Sequence, residues 1–245
     1  MKARRRLAFV AALAAGWAFA SWAAGPELAP DEPPEIEAPV EPTVTEDEWE
    51  EPFYRPPMRP PGPRTSLGTL GTRGPERRTL VLLAPQDHTG KATSPQPTLY
   101  WYISEATTTT VELVIQEQDS VQPLVLRTLP SPMAAGYHGI SLDEIDVSLR
   151  EGVVYEWSIA LVTDTGRRSR DAAVGQALIL YQPSRAVTLR ATKLRRGQLA
   201  SLYAEAGYWY DAIEAASRAV DTYPQVAGPR KQRTSLGKQV ALNLP

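Results

Sequence analysis

The feature that most constrains this chain is a change of apolar period near Pro183. Before it, short runs rich in Val, Ile, Leu, Tyr and Trp sit between Pro, Gly, Asp and Ser. In VYEWSIALV, residues 154–162, one alternate set is Tyr155, Trp157, Ile159 and Leu161, all apolar; the other carries Glu156 and Ser158. Strand side chains alternate faces, so the first set should line a core. Similar runs begin at Thr79, Pro97, Thr109, Gln122 and Ala173. Six such runs bounded by turn residues predict an immunoglobulin/fibronectin-like β-sandwich over residues 79–183. Trp101 and Trp157 should be core tryptophans, and Tyr100 and Tyr102 should face away from Leu99 and Trp101. A loop or single helical turn is expected in ISLDEIDVSL, a polar hairpin loop at 163–170, and His138 at a strand end.

After Pro183 the alternation gives way to helical spacing. Helices are expected over about 184–206, 208–222 and 229–242, punctuated by Pro224 and Gly228-Pro229. Residues 199–224 fit a tetratricopeptide-like helical hairpin, with Leu199, Ala200, Tyr203, Gly207, Trp209, Ala212, Ala219 and Pro224 at its characteristic spacing. Arg196 departs from it, standing where a large aromatic is common. In this frame Tyr203, Trp209 and Tyr223 are packing residues. Tyr208 and Tyr210 are either exposed aromatics of a contact surface or packed on the sandwich. One hairpin cannot bury its apolar face alone. The missing surface must come from the β region, the last helix or another molecule.

The N-terminus carries a basic segment, an apolar run to Ala24, and small residues at Ser21 and Ala23. It predicts a signal peptide over residues 1–24, with a periplasmic or secreted product, or an inner-membrane anchor if uncleaved. Residues 25–78 hold 13 of the 23 prolines and read as a disordered spacer, acidic then basic. Trp49, Phe53 and Tyr54 interrupt it, as a short docking motif or as a segment folding back on the body. Residues 25–51 contain 11 acidic and no basic residues, whereas residues 184–245 hold ten basic against four acidic. The acidic tract, residues 27–51, is therefore expected to dock on the basic helices, within one chain or between chains.

Catalytic signatures are absent. No cysteine exists, which removes disulfides and thiolate chemistry. Asp87 and His88 are adjacent and have no partner motif, so they read as a turn in which Gly90 supplies a positive φ. Asp143, Glu144 and Asp146 lack the glycine and distant glutamate of a calcium loop. No phosphate loop or serine nucleophile motif appears. No cofactor is implied.

LAPQDHTGKATSPQPTLYWYIS and LYAEAGYWYDA resemble the two signature stretches of bacterial domain-of-unknown-function family 928, over about residues 79–245. The resemblance implies export and the two-part layout, and carries no activity or site residues. The expectation is a non-enzymatic interaction module of the bacterial envelope. Its candidate surface is Tyr208, Tyr210, Arg190, Arg195, Arg196, Arg230 and Lys231. The partner would be an envelope protein, an anionic lipid or a cell-wall polymer, and not nucleic acid. A carbohydrate- or polymer-binding accessory module is the alternative, and an enzyme the weakest.

Overall fold

The computed structural model describes residues 46–57, 80–162 and 173–242. The expected signal peptide, most of the spacer and the 163–170 loop lie outside them. The fold is mixed: two sheets of strands followed by four helices. The strands are β1 (Leu80–Leu82), β2 (Gly90–Ala92), β3 (Thr98–Ile103), β4 (Thr110–Glu117), β5 (Pro123–Thr128), β6 (Gly136–Ser141), β7 (Val154–Val162) and β8 (Ala173–Tyr181). One sheet has the order β1-β3-β6 and the other β2-β8-β7-β4-β5. Only β2, beside β8, is parallel to its neighbour among these pairs.

Alternation puts one face of each sheet inward. Leu99, Trp101 and Ile103 of β3 meet Val111, Leu113 and Ile115 of β4 and Tyr155, Trp157, Ile159 and Leu161 of β7 in one buried core. Both expected core tryptophans are there, Trp101 at 2% exposure and Trp157 at 0%. The 3-10 turn Asp143–Ile145 matches the single turn expected before β7.

Two strands escaped the sequence. β2 has three residues, too few to show a period, and β6 reads GYHGIS, with two glycines and little apolar content. His138 is therefore inside a strand, paired across from Trp101, rather than at a strand end. Gly90 is also corrected: it is not among the positive-φ glycines. It is small because a Cβ there would lie 2.7 Å from the Tyr210 ring.

The helices are α1 (Arg185–Ala191), α2 (Arg196–Glu205), α3 (Trp209–Thr222) and α4 (Ala227–Gln239). The expected continuous helix 184–206 is broken. The Thr192 hydroxyl donates to the Leu189 carbonyl at 2.9 Å, ending α1, and the Arg195 N–H is taken by Gln198 Oε1 at 3.3 Å, opening α2. These local bonds substitute for the helical ladder at the junction. Gly207, at φ +81°, makes the α2–α3 turn. α4 begins two residues before the expected Pro229, which a first helical turn tolerates because its amides have no intrahelical acceptor.

α3 is the joint of the molecule. Its buried side chains Trp209, Tyr210, Ala212, Ile213, Ala216 and Ala219 recur at helical spacing, and the alanines allow close approach. It packs on α2 and α4 and also on β2 and β3. The outward faces of β3 and β6 receive the helices. The Arg233 guanidinium of α4 lies 3.5 Å above the Tyr137 ring. A missing Cβ at Gly139, the partner of Tyr100 across β3 and β6, leaves room for the Tyr100 ring. The surface that one hairpin lacks thus comes from the sheets and from α4.

Candidate functional site

α2 and α4 flank α3, and the furrow between them holds residues 46–57 of this chain, a 3-10 turn at Glu46–Glu48 followed by an irregular, extended stretch. This strap is the C-terminal end of the acidic tract and the start of the second half of the spacer. Its order corrects the expectation of disorder across 25–78 for these twelve residues. Its docking on the helices is within one chain; residues 27–45 of the tract lie outside the described residues.

The furrow recognises main chain first. Gln232 donates through Nε2 to the Glu50 carbonyl at 2.6 Å and to the Gly197 carbonyl at 2.7 Å. Gln239, seven residues and about two turns further along α4, donates to the Pro52 carbonyl at 2.7 Å. Its Oε1 accepts from the Tyr54 N–H at 2.7 Å. From the α2 side the Ser201 hydroxyl donates to the Glu50 carbonyl at 3.3 Å, and the Ala204 carbonyl accepts from the Arg55 N–H at 3.0 Å. The backbone groups at 50, 52 and 54 are read at alternate residues, as an extended chain requires.

Side chains add selectivity. Arg195 pairs with Glu48 at 2.9 Å, and Ser235 donates to Glu51 Oε1 at 2.7 Å. Glu46 Oε1 accepts from the Ala227 N–H at 2.9 Å, capping α4, whose own N-cap residue Val226 offers no side-chain bond. A carboxylate there satisfies a helix N–H and meets the positive end of the helix dipole. Two glycines give way to the strap: a Cβ on Gly197 would overlap the Glu48 carbonyl, and one on Gly228 would overlap Trp49. Trp49 meets Tyr223 edge-on, with ring centroids 5.6 Å apart.

Tyr54 anchors the other end. It is 5% exposed, packs edge-on against Trp209, and its hydroxyl bonds His88 Nε2 at 2.8 Å. His88 Nδ1 meets the Asp87 carboxylate at 2.7 Å. A carboxylate only accepts, so Nδ1 carries a proton, and in the neutral ring Nε2 is the acceptor for the Tyr54 hydroxyl. Burial, and secondly the Asp87 charge, push the Tyr54 hydroxyl well above the usual tyrosine range. It stays a neutral donor, and this Asp87–His88–Tyr54 chain is a latch rather than an activated nucleophile.

The strap does not satisfy everything it buries. Gln232 is 1% exposed, and its Oε1 has no hydrogen-bond partner; neither has the buried Trp49 Nε1. Each such group costs about 1–3 kcal/mol. Both residues line an open pocket of about 580 Å³ along α4, with Arg230, Lys231 and Lys238 on its rim.

Two expected surface residues are corrected. Tyr208 is 8% exposed, in a small cluster with Val187 and Leu202. Tyr210 is fully buried: its hydroxyl accepts from Trp157 Nε1 at 2.7 Å and donates to the Leu178 carbonyl at 3.0 Å. Burial pushes its pKa up. Both tyrosines join elements, and neither is open to a partner. Arg195, Arg230 and Lys231 are exposed and border the furrow. Arg190 and Arg196 are exposed on α1 and at the start of α2. Gln232, Ser235 and Gln239 were missed. Their i, i+3, i+7 spacing on one helix face was a usable signal, but AGPRKQRTSLGKQ looks merely polar without its neighbours.

A second pocket, about 400 Å³, opens between the edge strands β5 and β6, lined by Trp101, Arg127, His138 and Glu144 among others. His138 stacks on Trp101 and donates through Nε2 to the Ala134 carbonyl at 2.8 Å. Among the described residues no group of three or more His, Asp or Glu is placed to hold a metal ion. No described helix is long and apolar enough to cross a membrane.

The family model of a Domain of Unknown Function (DUF928) matches residues 65–244. The chain belongs to the DUF928 family. The match begins earlier than the sequence motifs suggested and takes in every residue of the furrow, whereas the strap, ending at residue 57, lies outside it. No curated protein matches the chain. Among the solved structures similar to it is a crystal structure of an engineered protein, 8% identical, with a TM-score of 0.30. That likeness spans 44% of the DUF928 chain and 21% of the engineered one, and at this score it carries no argument.

Proposed function

We propose that the chain is a non-enzymatic protein-interaction module of the bacterial envelope, exported by its N-terminal segment. In this reading an immunoglobulin/fibronectin-like sandwich supports a tetratricopeptide-like hairpin, and the furrow between α2 and α4 binds polypeptide. The observation that carries it is the pair Gln232 and Gln239, whose amides bond main-chain groups of an extended segment. These amides read carbonyl and N–H groups at alternate residues of one extended backbone, a spacing that a polypeptide supplies, and so favour a peptide over an anionic lipid or cell-wall polymer. The exposed cations Arg195, Arg230 and Lys231 favour an acidic one.

The test is a photo-crosslinking side chain at Lys231 in the full chain, expressed where it is exported. An envelope protein captured by this chain, and lost with Gln239→Ala, is the expected result. Capture of nothing that depends on Gln239 would refute the reading. The pocket between β5 and β6 favours a second reading, a carbohydrate- or polymer-binding accessory module, because Arg127, His138 and Glu144 surround it with polar groups. Glycan binding that survives Gln239→Ala and is lost with Arg127→Ala would select it.

A further inference from the structure

The strap fills the furrow yet has three marks of an occupant rather than of a wall. It lies outside the DUF928 match that contains the furrow. It is joined to β1 only through residues 58–79, a stretch of 22 residues, and so is held by its own contacts. And it leaves Gln232 Oε1, an acceptor at 1% exposure, without a donor at the edge of the open pocket.

We propose that residues 46–57 are a tethered self-ligand, and that the furrow takes in their place an extended acidic segment of another protein. That segment carries an aromatic side chain where Trp49 sits, a second where Tyr54 sits, and carboxylates where Glu46, Glu48 and Glu51 sit. This rests on the peptide-binding reading above and names the partner's chemistry. The recognition is already visible on the strap. Gly197 and Gly228 make room for main chain and indole, the α4 N-terminus takes a carboxylate, and the Trp209 and His88 rings take the second aromatic. A segment that also places a donor on Gln232 Oε1 makes one more hydrogen bond than the strap does. Lys231 and Lys238 on the pocket rim attract further negative charge.

A tether of this length holds its ligand at an effective concentration of roughly millimolar. A free competitor of equal intrinsic affinity therefore binds poorly until the strap is untethered or outmatched. The strap thus sets a threshold: weak acidic segments are refused and only a better fit is admitted.

The experiment uses the full chain with a protease site placed within residues 58–79. A fluorescent peptide of residues 46–57 is titrated into the intact protein, and into the folded protein after cutting and removal of the freed segment. The expected result is at least a tenfold tighter apparent Kd after cutting, with unchanged circular dichroism, and a loss of binding in Gln239→Ala. Retention of the cut segment through extensive dilution would overturn the proposal, as would loss of cooperative unfolding once it leaves: either would make the strap part of the fold. A dimer of the uncut chain at micromolar concentration, with straps exchanged, would overturn it too, since the occupant would be a second copy. Failure of the peptide-binding reading is separable: peptide exchange with no Gln239-dependent crosslink in cells would leave a working furrow without a natural client.

Discussion

Replacing Tyr210 by Phe tests whether α3 and the sheets form one rigid body. The substitution keeps the ring that packs against Gly90 and Trp157, and removes a single oxygen. That oxygen accepts from the Trp157 indole and donates to the Leu178 carbonyl, in a place with no exposure to solvent. Tyr210→Phe leaves a buried donor and a buried acceptor unpaired, each costing about 1–3 kcal/mol. The sum is about 2–4 kcal/mol, allowing for partial relaxation, and at about 2–4 °C per kcal/mol for a body this size Tm should fall by roughly 5–15 °C. Urea unfolding by circular dichroism measures it, with an unchanged slope showing that the same surface is exposed. A double-mutant cycle with Trp157→Phe isolates the pair, with a coupling of about 1–2 kcal/mol. A loss under about 0.5 kcal/mol for Tyr210→Phe would refute the reasoning, because the two groups would then have found other partners. Two separate unfolding transitions would refute the single body itself.

Asp211 in α3 accepts from the Thr93 N–H at 2.8 Å and from the Thr93 hydroxyl, and burial raises its pKa to about 6 despite both bonds. A raised carboxyl pKa means that its contribution is full below about pH 4 and is lost as pH rises through 6, about 3 kcal/mol in all. Asp211→Asn should flatten that part of the stability–pH profile, and an unchanged profile would contradict it. Gly228→Ala should evict Trp49, so limited proteolysis within residues 46–57 should quicken several-fold while the main unfolding transition moves little; equal cleavage rates would place Trp49 elsewhere. Arg195→Ala should cost less than about 1 kcal/mol, with an effect that fades in high salt, because the Arg195 side chain of the Arg195–Glu48 pair is largely exposed.

The long strands were legible because their burial is one-sided: Tyr155, Trp157, Ile159 and Leu161 record a single face in their period. The same holds for α3, whose aromatics and alanines mark a packed stripe. The three-residue β2 and glycine-bearing β6 carry no such record, since their pairing is supplied by β8 and β3. The aromatic interruption in the acidic tract at Trp49 and Tyr54 was visible, and so was the charge complementarity that brings it to the helices. The roles of Tyr208 and Tyr210 were not.

The sequence by itself determined the succession of sheets and then helices, the α2–α3 turn at Gly207, and the attraction between an acidic tract and a basic end. Those depend on local period, backbone freedom and net charge, which neighbouring residues encode. Only the tertiary structure decided that Tyr210 is a buried joint, that Gly90, Gly197 and Gly228 are small for the sake of distant partners, and that Gln232 and Gln239 hold a strap more than 180 residues away in the chain. Each of these depends on which surfaces meet, and a hydrogen bond or an excluded Cβ exists only once they have met.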